Sequence, residues 1–432
     1  DRLYIADGAN ISASTTGAGN AGNLNITVPL VDLLGSNANL GSSGLFSSVD
    51  DEAARGNGGR LTLNTERLRI VDGARISSGT SGLGNGGNIR VNAATIDLAG
   101  ASSANPSGIL SVARSSATGN GGNVQIQATQ LSVVEGAQIS ALTTGSGNAG
   151  NLRINAQAVE LAGFGELGRS GLFASAIIGT GAGGNLRVTA DRLRVQDGAT
   201  INVSNFPSLN VEVPPGQGTV GNVVIRSPFL QLQGSQITTN SQSRQPGGNI
   251  AIVSDFLLAS DNSDITANAV NSLGGQIFIT AQGIFGTQVR PSLTAASDIT
   301  ASSELGTEFN GLTILNTPNI DPTQGLTELP KNPLSTREQI SNACENVSEN
   351  TFVVSGRGGL SDNPTQMLRA QRAWQDLRVL EHGNAPETVS APLMPIVEAQ
   401  GWVADENGKV SLIASSSQAE SRSLPCQAYL TH

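Results

Sequence analysis

Four acidic residues recur at one phase of a repeated phrase: Asp7 in ADGA, Asp72 in VDGA, Glu135 in VEGA and Asp197 in QDGA. Carboxylates presented from neighbouring turns of a repeat are the raw material of glycoside hydrolysis. There, one protonated acid and one ionised partner flank the scissile bond, roughly 5–9.5 Å apart. The spacing here argues against that chemistry. The units between these acids carry Ala99 and Ala162 at that phase. Successive acids then lie two units apart, about 9–10 Å if the units stack at strand spacing. An acid before glycine is ordinary turn chemistry. Histidine, the commonest general base, occurs only as His382 and His432, beyond the repeats. The four acids are therefore expected to shape turns, and no residue is expected to be catalytic.

Other chemistry fares similarly. The acidic stretches DNSD (Asp261 to Asp264) and VDDE (Val49 to Glu52) lack the spaced ligands and central glycine of a calcium loop. Two cysteines alone cannot complete a four-ligand zinc site. No metal and no cofactor are expected. Nucleic acid is excluded as a partner by charge: the formal net charge is -10, the pI is near 4.8, and only Lys331 and Lys409 are lysines, so a phosphate backbone is repelled. Sugar-binding sites usually expose Trp or Tyr, and Tyr4 is the only such residue in the repeats. The phrase GNGGN before an alternating run has the look of a phosphate-cradling loop. Such a loop occurs once per site, whereas this one returns about nine times, as only a repeat architecture requires.

The repeat itself must position everything else. The glycine before Asn falls at Gly22, Gly59, Gly87, Gly122, Gly150, Gly184, Gly221, Gly248 and Gly275, with a degenerate copy near Asn310. Successive gaps are 37, 28, 35, 28, 34, 37, 27 and 27 residues, the signature of a solenoid. Each unit holds three short runs that alternate apolar and polar residues. In one unit they are Val124–Ile126, Leu131–Val133 and Ala137–Ser140, the period-2 pattern of strands. A membrane β-barrel would need longer strands and aromatic girdles, which 3% aromatic residues cannot supply. No run approaches the eighteen apolar residues of a spanning helix.

The pattern predicts an all-β right-handed parallel β-helix solenoid of about ten rungs over residues 1–315. Val124, Ile126, Ile139, Leu152 and Ile154 should face inward. Gly22, Gly87, Gly122, Gly150 and Gly184 should take the rung corners, where the free φ of glycine is useful. The following Asn23, Asn88, Asn123, Asn151, Asn185, Asn222 and Asn249, replaced by Arg60 and Gln276 in two units, should stack into a hydrogen-bonded ladder.

Beyond the repeats the composition changes. Prolines cluster over 316–334, which reads as a linker. Residues 335–432 read as a small mixed α/β capping or anchoring domain. Ser335 with Glu338 signals a capping box, an amphipathic helix is expected after Pro364, and a hairpin should turn at Asn407-Gly408. Cys344 and Cys426 bracket this domain. A disulfide between them would close about 80 residues, contribute about 4 kcal/mol by loop entropy and imply export to an oxidising space; two unpaired buried thiols are the alternative. Asp1 opens in mid-repeat, so the chain reads as the C-terminal part of a longer precursor.

The phrases GIFGTQVRPSLTAASDITASSELG, DPTQGLTELP, FVVSGRGGL and EAQGWVADENGKVSLIAS resemble the C-terminal end of cyanobacterial filamentous-haemagglutinin-like exoproteins of the two-partner secretion type, also described as S-layer-family proteins. The resemblance runs over essentially the whole chain. It implies a right-handed β-helix, passage through a dedicated outer-membrane transporter as partner, and residence at the cell surface or outside it. The amino-terminal secretion domain of that family has no counterpart in these residues. Adhesion, with surface glycans or neighbouring copies as partners, is the function expected; the alternative is a carbohydrate-active β-helix enzyme, a polysaccharide lyase or hydrolase.

Overall fold

A computed structural model describes residues 1–205 and 214–318, and the two strands 401–404 and 410–413. Two compact units divide the chain, Asp1–Gln324 and Gly325–His432. Among its described residues the first is nearly all β, with one short 3₁₀ turn at Thr307–Phe309. Its strands form a 16-stranded and an 11-stranded sheet. Together these make the three faces of a parallel β-helix.

The first face stacks ten strands, from Leu24–Thr27 to Leu312–Asn316, every neighbour parallel. The second face runs in the same way from Arg2–Ala6 to the end of Gln276–Phe285. The third runs from Asn10–Ser12 to Ser297–Thr300. Ten strands at the ordinary sheet spacing give an axial rise on the order of 45 Å. Within one rung, Val124–Gln127, Gln130–Val134 and Gln138–Ser140 are the three strands expected there.

Most parallel sheets are covered on both faces and read as continuous apolar runs. Here the alternation survives because one side lines the lumen and the other meets water. The lumen holds unbroken files of branched side chains. Leu63, Val91, Ile126, Ile154, Val188, Ile225, Ile252 and Ile279 are successive register partners and all are buried. β-branched residues suit such a pleated wall, and burying each contributes about 2 kcal/mol. All five residues expected to face inward are in this core.

Two sequence-based positions move. Register places Gly35, Gly100, Gly163 and Gly234, not Ala99 and Ala162, beside the acidic phase, because Val71 pairs with Ala99 and Val134 with Ala162. Alternation of acids with non-acidic rungs is unchanged. The degenerate glycine is Gly311, which follows Asn310 and sits on Gly275. Three of the longer units, those with Gly35, Gly100 and Gly163, carry a small antiparallel excursion between the second and third faces. It pairs Ser36–Asn37 with Gly41–Ser42, Ala101 with Pro106, and Phe164–Gly165 with Gly168–Arg169.

In the second unit, Gly401–Ala404 pairs antiparallel with Val410–Ile413; Asn407-Gly408, where the hairpin turn is expected, lies outside the described residues. Cys344, Cys426, the capping box of Ser335 and Glu338, the helix expected after Pro364, most of the 316–334 linker and residues 206–213 lie outside the described residues.

Candidate functional site

The rung corner is the most regular polar feature among the described residues. A Cβ added at Gly59, Gly87, Gly122, Gly150, Gly184, Gly221, Gly248, Gly275 or Gly311 would land inside contact distance of the carbonyl oxygen of the glycine one rung before, starting at Gly22. None of these glycines has a left-handed φ. The expectation that conformational freedom selects them is therefore corrected: close backbone approach between rungs does. The next residue builds the ladder. Asn123 donates its backbone N–H to Asn88 Oδ1 at 2.8 Å, Asn151 to Asn123 Oδ1 at 2.8 Å, and Asn185 to Asn151 Oδ1 at 2.9 Å. Asn222, Asn249 and Gln276 continue it. Below, Arg60 donates to Asn23 Oδ1 at 2.7 Å, but an arginine side chain offers no acceptor, so the file restarts at Asn88.

A second, parallel file escaped the sequence reading. Asn57, Asn85, Asn120 and Asn148 each donate a backbone N–H to the Oδ1 of the asparagine below, beginning at Asn20, and Ala182 closes the file on Asn148. Its signal was present: it is the first Gly-Asn of the same GN-x-GN phrase, and its glycines also stack with no room for a Cβ.

The acids occupy tight turns. Asp7, Asp72, Glu135 and Asp197 have φ of 53–58°, and the glycines after them 84–87°. The residue after each glycine donates its N–H back across the turn, as Ala74 does to the Val71 carbonyl at 3.1 Å and Ala137 to Val134 at 3.0 Å. Two consecutive left-handed residues closed by this bond make a type I′ turn, where Asp or Asn before Gly is favoured. The turn is tied to the next rung by a serine. Gly8, Gly73 and Gly136 donate to Ser43, Ser107 and Ser170 Oγ at 2.9, 2.8 and 2.7 Å. These serines were missed. Each is the Ser of a Ser-Gly step that opens the third strand of a long unit.

Two acids near the last rungs are buried instead. Asp298 pairs with Arg290 and accepts from Thr294. Burial opposes its charge, but those donors prevail and hold its carboxyl below the usual range. Among the described residues, Asp264 accepts only the Asp298 backbone N–H, at 3.1 Å. Burial, together with the nearby Asp298 charge, pushes it up to about 6.

The outer surface is graded along the axis. Thr62, Arg90, Gln125, Arg153 and Arg187 form one outward file of the first face. Farther on, Val224, Ala251, Phe278 and Ile314 take the same file. On the second face Phe256 and Phe285, both exposed, each border Gly283. No protein-family model, no curated protein and no solved structure matches this chain.

Proposed function

We propose that this chain is the β-helical stalk of an exported, non-enzymatic surface protein, working in adhesion or in building an extracellular layer. One observation carries this reading. The polar residues that recur with the repeat bond to the adjacent rung or close a turn, so the repeat builds a scaffold. The acids that would have to converge for hydrolysis sit at every other rung in type I′ turns. The resemblance of the C-terminal phrases to two-partner secretion exoproteins supports an outer-membrane transporter as partner, and residence outside the cell. Neighbouring copies are supported as partners by the exposed Phe256, Phe278 and Phe285 of the last rungs, since an apolar patch on a soluble surface marks an interaction site. Surface glycans are the other partner class. Immunolabelling of the native full-length protein on intact cells tests the reading: label at the outer surface or in the surrounding matrix is expected, and label found only after permeabilisation overturns it.

A further inference from the structure

The third face carries a groove that the stalk does not use. Its outward file runs Phe46, Ser77, Leu110, Ser140, Phe173, one residue per rung. Around Leu110, with Ser77 and Ser140 on either side of it, lies a depression lined from four successive rungs. Its volume is about 230 Å³, below the roughly 300–1,000 Å³ of sites for drug-sized ligands and far above a bare ion. Leu110, Val112 and Leu142 supply its apolar lining; Arg75, Arg114, Gln138 and Ser140 supply its polar groups, and Asp50 lies at its rim.

The polar groups are incompletely used. Arg75 gives Nη1 to Asn105 Oδ1 at 2.8 Å, but its buried Nε has no partner among the described residues. Ser140 is 1% exposed and its Oγ has no partner among them either. Buried polar atoms without partners are rare and costly. Burial and the nearby Arg114 charge both lower the pKa of Arg75, with Asp50 opposing them. Two guanidiniums against one carboxylate leave the groove short of one negative charge, in a chain whose net charge is -10.

We propose that this groove binds a single sugar acid, as the free monosaccharide or as one unit of an acidic polysaccharide, its carboxylate held by Arg75 and Arg114. Guanidinium forks match carboxylates in geometry and charge. Ser140 Oγ and Gln138 meet the ring hydroxyls, and the apolar lining meets the ring carbons. Ion pairing thus takes the place of the aromatic stacking that the repeats do not offer. The inference rests on the reading of the chain as a surface protein with glycan partners, and names the class of glycan.

Titration calorimetry of the chain with galacturonate, galactose, sulfate and a galacturonate oligomer tests it. Galacturonate binding at millimolar Kd is expected, with no measurable heat from galactose. Arg114→Gln, which changes an exposed side chain, should weaken it at least tenfold. Ser140→Ala should weaken it while leaving the melting temperature unchanged or raised, because the hydroxyl has no partner among the described residues; this arm stands if Arg114→Gln folds poorly. An oligomer that binds more tightly than the monosaccharide identifies the polymer as source, and equal affinity identifies the free acid. Sulfate binding as tightly as galacturonate, no galacturonate binding, or affinity unchanged in both variants overturns the proposal. Loss of the groove activity in a protein still displayed on cells removes this inference alone, whereas binding by a protein confined within cells removes the surface reading and leaves the groove.

Discussion

Asn151 donates both its backbone N–H and its side-chain Nδ2 to a single atom, Oδ1 of Asn123, at 2.8 and 3.1 Å. The two residues are 28 positions apart in sequence and one rung apart in space. The same forked bond joins Asn88 to Asn123 and Asn151 to Asn185, so a single side-chain type holds successive corners in register.

Asn123→Ala removes the acceptor of that fork and should cost about 1 kcal/mol, the net value of a typical hydrogen bond. Gly122→Ala should cost more, about 3 kcal/mol, because its new Cβ meets the Gly87 backbone carbonyl, which cannot move without shifting a rung. Thermal melting followed by circular dichroism ranks the two. A Gly122→Ala protein as stable as wild type would mean that the rungs do not approach as closely as described.

The left-handed turns make a different prediction. Replacing Asp72, Glu135 and Asp197 together by Asn should leave the melting temperature within a few degrees of wild type, since Asn tolerates a positive φ. Glu135→Val alone should cost about 1–2 kcal/mol, because a β-branched residue resists that conformation. The triple Asn variant should also leave any polysaccharide cleavage by purified protein unchanged. Cleavage that disappears with the three carboxylates would restore the hydrolase reading.

Asp264 gives the last rungs a pH dependence of known sign. Its folded pKa, about 6, lies above the ordinary 3.8, so the folded state holds the proton more tightly than the unfolded chain does. Its stabilising contribution is complete below about pH 3.8 and is lost as pH rises through 6. Asp298, held below the usual range, acts oppositely and contributes above its unfolded pKa. Asp264→Asn should therefore raise stability at pH 7 relative to wild type and shrink that advantage toward pH 4. Melting curves between pH 4 and 7 check this; a constant difference across that window would show that Asp264 does not titrate there.

The apolar end of the outward files predicts association. Phe256→Ser with Phe285→Ser should shift sedimentation of the purified chain toward the monomer and leave its circular dichroism unchanged. Sedimentation identical to wild type would remove the lateral contact from the proposed role.

Much of this was legible in the residues. Alternation such as Val124-Gln125-Ile126 states which side of a strand is buried, because side chains alternate faces whatever the strand pairs with. Recurrence of Gly-Asn states that a corner repeats, and an acid before glycine states that a turn follows. These are properties of one rung, and one rung is written in consecutive residues. The vertical relationships are not. Rung lengths vary between 27 and 37 residues, so the residue lying above another follows from backbone pairing and not from counting; that is why the acidic phase falls beside Gly100 and Gly163, one position after the alanines. Corner glycine likewise satisfies either a left-handed φ or a crowded neighbour, and only the carbonyl of Gly87 against Gly122 decides for crowding. The groove over Leu110 shows the same limit. Arg75, Arg114 and Ser140 come from three rungs of unequal length, and their shared surface, with a serine hydroxyl left unpartnered in it, exists only once those rungs are stacked.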